Sequence, residues 1–158
     1  MADISDEELA ERVAILRRFR SLLEQQRKKF QDYLTVLEKQ ETSIEEEDTA
    51  ALVAHTELEQ QVAMGIASLQ KVIAPMSEMY KSVGNISQNE QGAVSSIQEE
   101  LNSLQKKVLE QNEKNRELLR IHLVRIKSQL DQFRNPYKNR SSVYAASASS
   151  GSLVAVEA

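Results

Sequence analysis

Two histidines, His55 and His122, and the acidic run Glu45-Glu46-Glu47-Asp48 are the residues of this chain whose types could serve metal ligation or acid–base chemistry. Their spacing argues against both. Neither histidine belongs to an HExxH pattern or has a carboxylate cluster nearby in sequence, so each reads as an ordinary position on a helix. The acidic run lacks the alternating ligand spacing and the glycine of a calcium loop, and reads as a solvated helix junction. No glycine loop could cradle a phosphate and no nucleophile elbow is present. Cysteine is absent, which removes disulfides, thiolate chemistry and zinc thiolate sites. The expectation is a protein that is not an enzyme, with no catalytic residue, metal or cofactor.

The residues that do recur with a purpose are apolar. Leu9, Leu16, Leu23, Phe30, Leu37 and Ile44 follow one another every seven positions. Seven residues is close to two helical turns, so the six side chains share one face of a helix roughly 55–60 Å long. Such a rod cannot bury its stripe alone; it must hold either its own later helices or a partner. A second seam, read at Val13, Arg20, Arg27, Leu34 and Glu41, is mostly polar, with Phe19 and Tyr33 widening the apolar flank. A two-stranded zipper wants both seams apolar, so a wider, uneven bundle is expected.

The elements that carry these residues can be followed along the chain. Ser5 and Glu8 form a capping-box pattern, and Asp6, Glu7 and Glu8 suit the positive end of a helix dipole. Asp48 or Thr49 is expected to cap a second helix, which carries Leu52, His55, Leu58, Val62, Ile66, Leu69, Ile73, Met76, Tyr80 and Val83 at spacings of three and four. Pro75 predicts a kink or an early stop there. Gly84 to Gly92 reads as a turn. A third helix opens with Val94, Ile97, Leu101, Leu104 and Val108, then places Gln111 and Asn115 at apolar positions. Its stripe resumes, displaced by a stutter, as Leu119, Leu123, Ile126, Leu130 and Phe133. Polar residues at such sites fix register or meet a partner's backbone. Asn135-Pro136 ends the helix, and the serine- and alanine-rich stretch beyond has too little apolar bulk to fold by itself.

The predicted fold is therefore all-α: an elongated, coiled-coil-like antiparallel bundle of about three long helices (about 6–44, 48–83 and 92–134) forming a domain over 1–134, with a disordered tail over 135–158. Four glycines, two prolines and no tryptophan in 158 residues agree with it. No apolar run approaches the roughly 20 residues of a membrane span, and the acidic start is unlike a signal peptide, so a cytoplasmic protein without membrane insertion is expected. The net charge of −4 hides an asymmetry: residues 1–105 carry 10 basic and 19 acidic groups, and residues 106–140 carry 10 basic and 4 acidic. The favoured explanation is pairing between neighbouring segments. No aromatic residues interleave the basic stretch, so nucleic acid is not an expected partner.

On the last helix, Asn112-Glu113-Lys114-Asn115-Arg116-Glu117-Leu118-Leu119 reads NxxNxxLL, followed in the tail by Val143-Tyr144-Ala145-Ala146-Ser147 and Gly151. Together with the leucine-periodic first helix, the acidic break at Glu46-Glu47-Asp48 and the resumption LxxHxxLE (Leu52, His55, Leu58, Glu59), this resembles the flagellar export chaperones of the FlgN type. Ala145 and Pro75 are departures, the family often having glycine after the tail tyrosine. The resemblance implies a chaperone that binds hook-associated proteins (the FlgK- and FlgL-type hook–filament junction proteins), prevents their premature assembly or degradation, and delivers them to the cytoplasmic domain of the type III export gate. It implies that Asn115, Leu118 and Leu119 are signature residues and that Tyr144 meets the gate. Leu123, Ile126, Leu130 and Phe133 extend the signature as a surface for an amphipathic client helix, or serve as bundle core. A coiled-coil scaffold, a homodimer built on the ladder, and a chaperone for a different secreted client fit the same helical pattern.

Overall fold

Each helix begins beside a side chain that accepts one of its orphan amides. The computed structural model describes residues 5–134, with side chains to 132. Among these, three helices follow in order: α1 (Asp6–Glu45), α2 (Thr49–Ser82) and α3 (Gln88–Arg134). The all-α expectation of three long helices is met. Ser5 Oγ accepts from Glu8 N at 3.2 Å, Asp48 Oδ1 from Ala51 N at 3.1 Å, and Ser87 Oγ from Glu90 N at 3.2 Å. Such caps contribute about 1 kcal/mol each.

Of the two outcomes expected at Pro75, the early stop does not occur: α2 runs on to Ser82, close to the expected end at 83. Met76 and Tyr80, just past the proline, pack against the core, and Tyr80 stacks on Phe19 with centroids 4.7 Å apart. That packing outweighs one lost ladder bond. The second turn is shorter than read, since α3 already begins at Gln88 and includes Gly92. Its left-handed residue is Asn85 (φ 58°); neither Gly84 nor Gly92 has positive φ.

The α1–α2 junction closes as a Schellman turn. Asp48 N donates to the Ser43 carbonyl at 2.9 Å and Glu47 N to that of Ile44 at 3.1 Å. This geometry puts the penultimate residue in the left-handed region, where glycine is usual. Here that residue is Glu47, at φ 54°, and its Cβ costs roughly 1–2 kcal/mol.

Among the described residues the helices pack in two compact units, each drawing a segment from all three: 5–34 with 61–108, and 35–60 with 109–134. In the first, Phe19, Leu22, Leu23, Ile73, Val94, Ile97 and Leu101 form the core, with Phe30, Leu69, Met76 and Tyr80 against it. In the second, Ile44, Leu52, Ile126 and Leu130 are buried, with Val53, Leu118, Leu119 and Leu123 around them. Full burial of a side chain such as Phe19, Leu37 or Ile126 contributes about 1.5–3 kcal/mol.

The ladder is buried at Leu23, Leu37 and Ile44, half-buried at Leu16 and Phe30, and exposed at Leu9. Its companion seams are not the one expected. None of Val13, Arg20, Arg27, Leu34 and Glu41 is buried; instead Phe19, Gln26 and Gln40 lie buried three residues past the rungs Leu16, Leu23 and Leu37, and Leu22, Val36 and Ser43 one residue before the rungs Leu23, Leu37 and Ile44. With two neighbouring helices to face, α1 must bury three adjacent seams rather than two.

Candidate functional site

The third helix, in its stretch within the second unit, carries the residues singled out by sequence. Asn115 is 5% exposed. Its Nδ2 donates to the Leu37 carbonyl at 2.8 Å and to Gln40 Oε1 at 3.3 Å, and its Oδ1 accepts from Gln111 Nε2 at 2.9 Å. Gln111 Nε2 also donates to Glu41 Oε2 at 2.6 Å, and Lys114 Nζ reaches Glu41 Oε1 at 2.5 Å. Gln40 Nε2 extends the set by donating to Glu59 Oε2 at 2.5 Å. A polar layer thus ties α3 to α1 and α2 where the sequence pattern called for an apolar residue. The stutter and the layer have one cause: a carboxamide at this position needs backbone and side-chain partners, and α1 offers both.

Charge pairing follows the asymmetry read from sequence. The hydrogen bond from Lys114, then that from Gln111, holds the Glu41 carboxyl below its ordinary range, and the same contact raises Lys114. At the α1–α2 junction, Glu47 Oε1 accepts from Arg125 Nη1 at 3.2 Å, and His122 Nδ1 lies 3.8 Å from Glu47 Oε2. His55 is engaged as well. Ser43 Oγ lies 3.0 Å from the Lys39 carbonyl and shares a 2.9 Å hydrogen bond with His55 Nδ1. Among the described residues no three of His, Cys, Asp or Glu are placed to hold a metal.

Leu118, Leu119 and Leu123 are half-buried, Leu130 is buried, and Ile126 is fully enclosed. The structure brings these five together with Ile44, Leu52 and Val53 as the core of the second unit, rather than leaving them as an open groove. Asn115 sits apart from them in the polar layer. The Phe133 side chain and the whole of Tyr144 lie outside the described residues.

What α3 does expose is Ile121 (62%) and Val124 (82%), with Leu109 (69%) nearer the start of this stretch. Ile121 and Val124 are three residues apart on one face, flanked by Arg125 and by Arg120, which Glu117 engages through two hydrogen bonds of 3.1 and 2.7 Å. The sequence reading passed over them because they fall out of phase with the core stripe. That phase is the signal that could have found them: β-branched residues on an otherwise charged outer face have no packing reason to be there.

No helix among the described residues is long and apolar enough to cross a membrane. Comparison with known proteins adds three findings. A protein of Treponema pallidum (strain Nichols), described as an uncharacterized protein, is 39% identical over 133 residues, covering 84% of this chain and 84% of its own length. No solved structure matches significantly. The family model described as FlgN protein matches residues 9–151, through all three helices. By that match the chain belongs to the FlgN protein family, a family of flagellar export chaperones that are not enzymes.

Proposed function

We propose that this chain is a cytoplasmic export chaperone that binds the hook–filament junction (hook-associated) proteins, keeps them from assembling or being degraded early, and delivers them to the cytoplasmic domain of the flagellar type III export gate. The observation that carries this reading is the family match over residues 9–151, which takes in the signature residues Asn115, Leu118 and Leu119 on α3. Junction-protein termini held unassembled are amphipathic segments that can fold as a helix against an apolar face. The C-terminal part of α3 offers two such faces: the outward pair Ile121 and Val124, and the enclosed stripe Leu119, Leu123, Ile126 and Leu130. The first is available as the molecule stands. The arginines beside it lend their aliphatic stems to an apolar contact while their charged heads stay in water.

Capture from a lysate of flagellated cells tests the reading. The chaperone is expected to bring down hook-associated proteins in stoichiometric amount; recovery of nothing but further copies of itself would mark a scaffold and end the proposal. The doubly substituted Ile121→Asp/Val124→Asp chain should lose most of that client while its melting curve stays within about 0.5 kcal/mol of the parent, as expected for exposed positions. Tyr144→Ala should spare the client and weaken docking to the gate's cytoplasmic domain; equal docking would remove Tyr144 from the mechanism.

A further inference from the structure

The α1–α2 junction is built at a cost that a simple connection would avoid. A Schellman turn asks for glycine, yet Glu47 occupies its left-handed position at φ 54°. The side chain does not reach into water; it is 16% exposed and turned onto α3. There Oε1 takes a 3.2 Å hydrogen bond from Arg125, whereas Oε2 is buried without a hydrogen-bond partner, with His122 Nδ1 at 3.8 Å. Between these two α3 residues and after them lie Leu123 and Ile126, which close over Ile44 and Leu52. A strained backbone and a half-satisfied carboxylate are both spent on one result, holding this stretch of α3 against the junction.

We propose that Glu47 is a latch that holds the C-terminal part of α3, with its stripe Leu119, Leu123 and Ile126, closed over Ile44 and Leu52, and that its release presents this stripe to the client. The gating half rests on the client reading above; the latch itself does not. The contact has the features of a releasable fastening. Arg125 is 80% exposed, so water and salt compete for it directly. The orphaned Oε2 gains solvation when the segment lifts, which offsets part of the apolar surface uncovered. The Asn115 layer, on the N-terminal side of the same stretch, keeps its own hydrogen bonds to α1, so lifting need only involve residues beyond it. A client binding the open form would then carry a penalty set by how seldom the stripe is open.

Two substitutions separate latch from strain. Glu47→Gln keeps the left-handed Cβ and removes the charge; Glu47→Gly removes the contact and relieves the backbone. In amide hydrogen exchange on the full chain, both should speed exchange over 118–130 by about three- to tenfold and leave 66–101 at parental rates. Relief of strain alone would slow exchange in Glu47→Gly, so unchanged or slower exchange over 118–130 in these variants overturns the latch. Capture of hook-associated proteins should tighten by a similar factor in both. Faster exchange with unchanged capture overturns the gating. Parent protein that captures no hook-associated protein overturns the client reading and the gating with it, while exchange, which needs no client, still decides the latch.

Discussion

The carboxamide of Asn115 has three partners within its own chain, and water does not reach it to replace them. Asn115→Ala would take the donor from Gln40 Oε1 and from the Leu37 carbonyl, and one of two acceptors from Gln111 Nε2. We expect a loss of about 1–3 kcal/mol in urea unfolding, and a smaller loss when Gln40→Leu is added to Asn115→Leu, since removing both partners leaves less unsatisfied. Glu41 makes a pH prediction. Its carboxyl is lowered by Lys114 and Gln111, so its contribution is complete above the ordinary carboxylate value of 4.5 and fades as pH falls through the folded one. The gap in stability between parent and Glu41→Gln should therefore be widest near neutrality, narrow as pH falls past 4.5, and close only once pH has fallen through the lowered folded value. A gap independent of pH would mean the ion pair adds nothing. Ile126 lies at the other extreme: with no exposure, Ile126→Asp should cost more than about 4 kcal/mol and melt the helices, so its loss of client binding would carry no information about the surface.

Helices were the most legible level of this chain. Their starts are local chemistry, and Ser5 capped α1 as its spacing with Glu8 promised. Asp48 rather than Thr49 caps α2. Where local rules failed, packing had overridden them. Pro75 has no N–H to give the helix, yet Met76 and Tyr80 hold the following turn to Phe19 and its neighbours. Pro75→Ala should then stabilise by about 1–3 kcal/mol, restoring a bond without moving the packed turn; a lower urea midpoint would show instead that the helix depends on its proline. The seams of α1 were misread for a similar reason. Gln26 and Gln40 look like surface residues in a linear pattern, but Gln26 Nε2 finds the Ile66 carbonyl at 3.1 Å and Gln40 finds Glu59, so both can be buried.

For the molecule as a whole, the three helices account for about three-quarters of the 158 residues. Circular dichroism on purified protein should return at least that order of helix; a value below about half would contradict the fold. Part of the charge asymmetry is paired within the second unit, where Glu41 and Glu47 meet Lys114 and Arg125. By itself the sequence determined the helical class, the approximate helix spans, and the resemblance that the family match bears out. These follow from periodicity, caps and residue types, which act over a few turns of chain. Only the tertiary structure decided which apolar residues are core and which remain outside: Ile126 enclosed, Ile121 and Val124 exposed, Asn115 tied to the Leu37 carbonyl. A stripe shows that a helix has an apolar face, but whether that face is covered depends on partners many turns away, which periodicity cannot name.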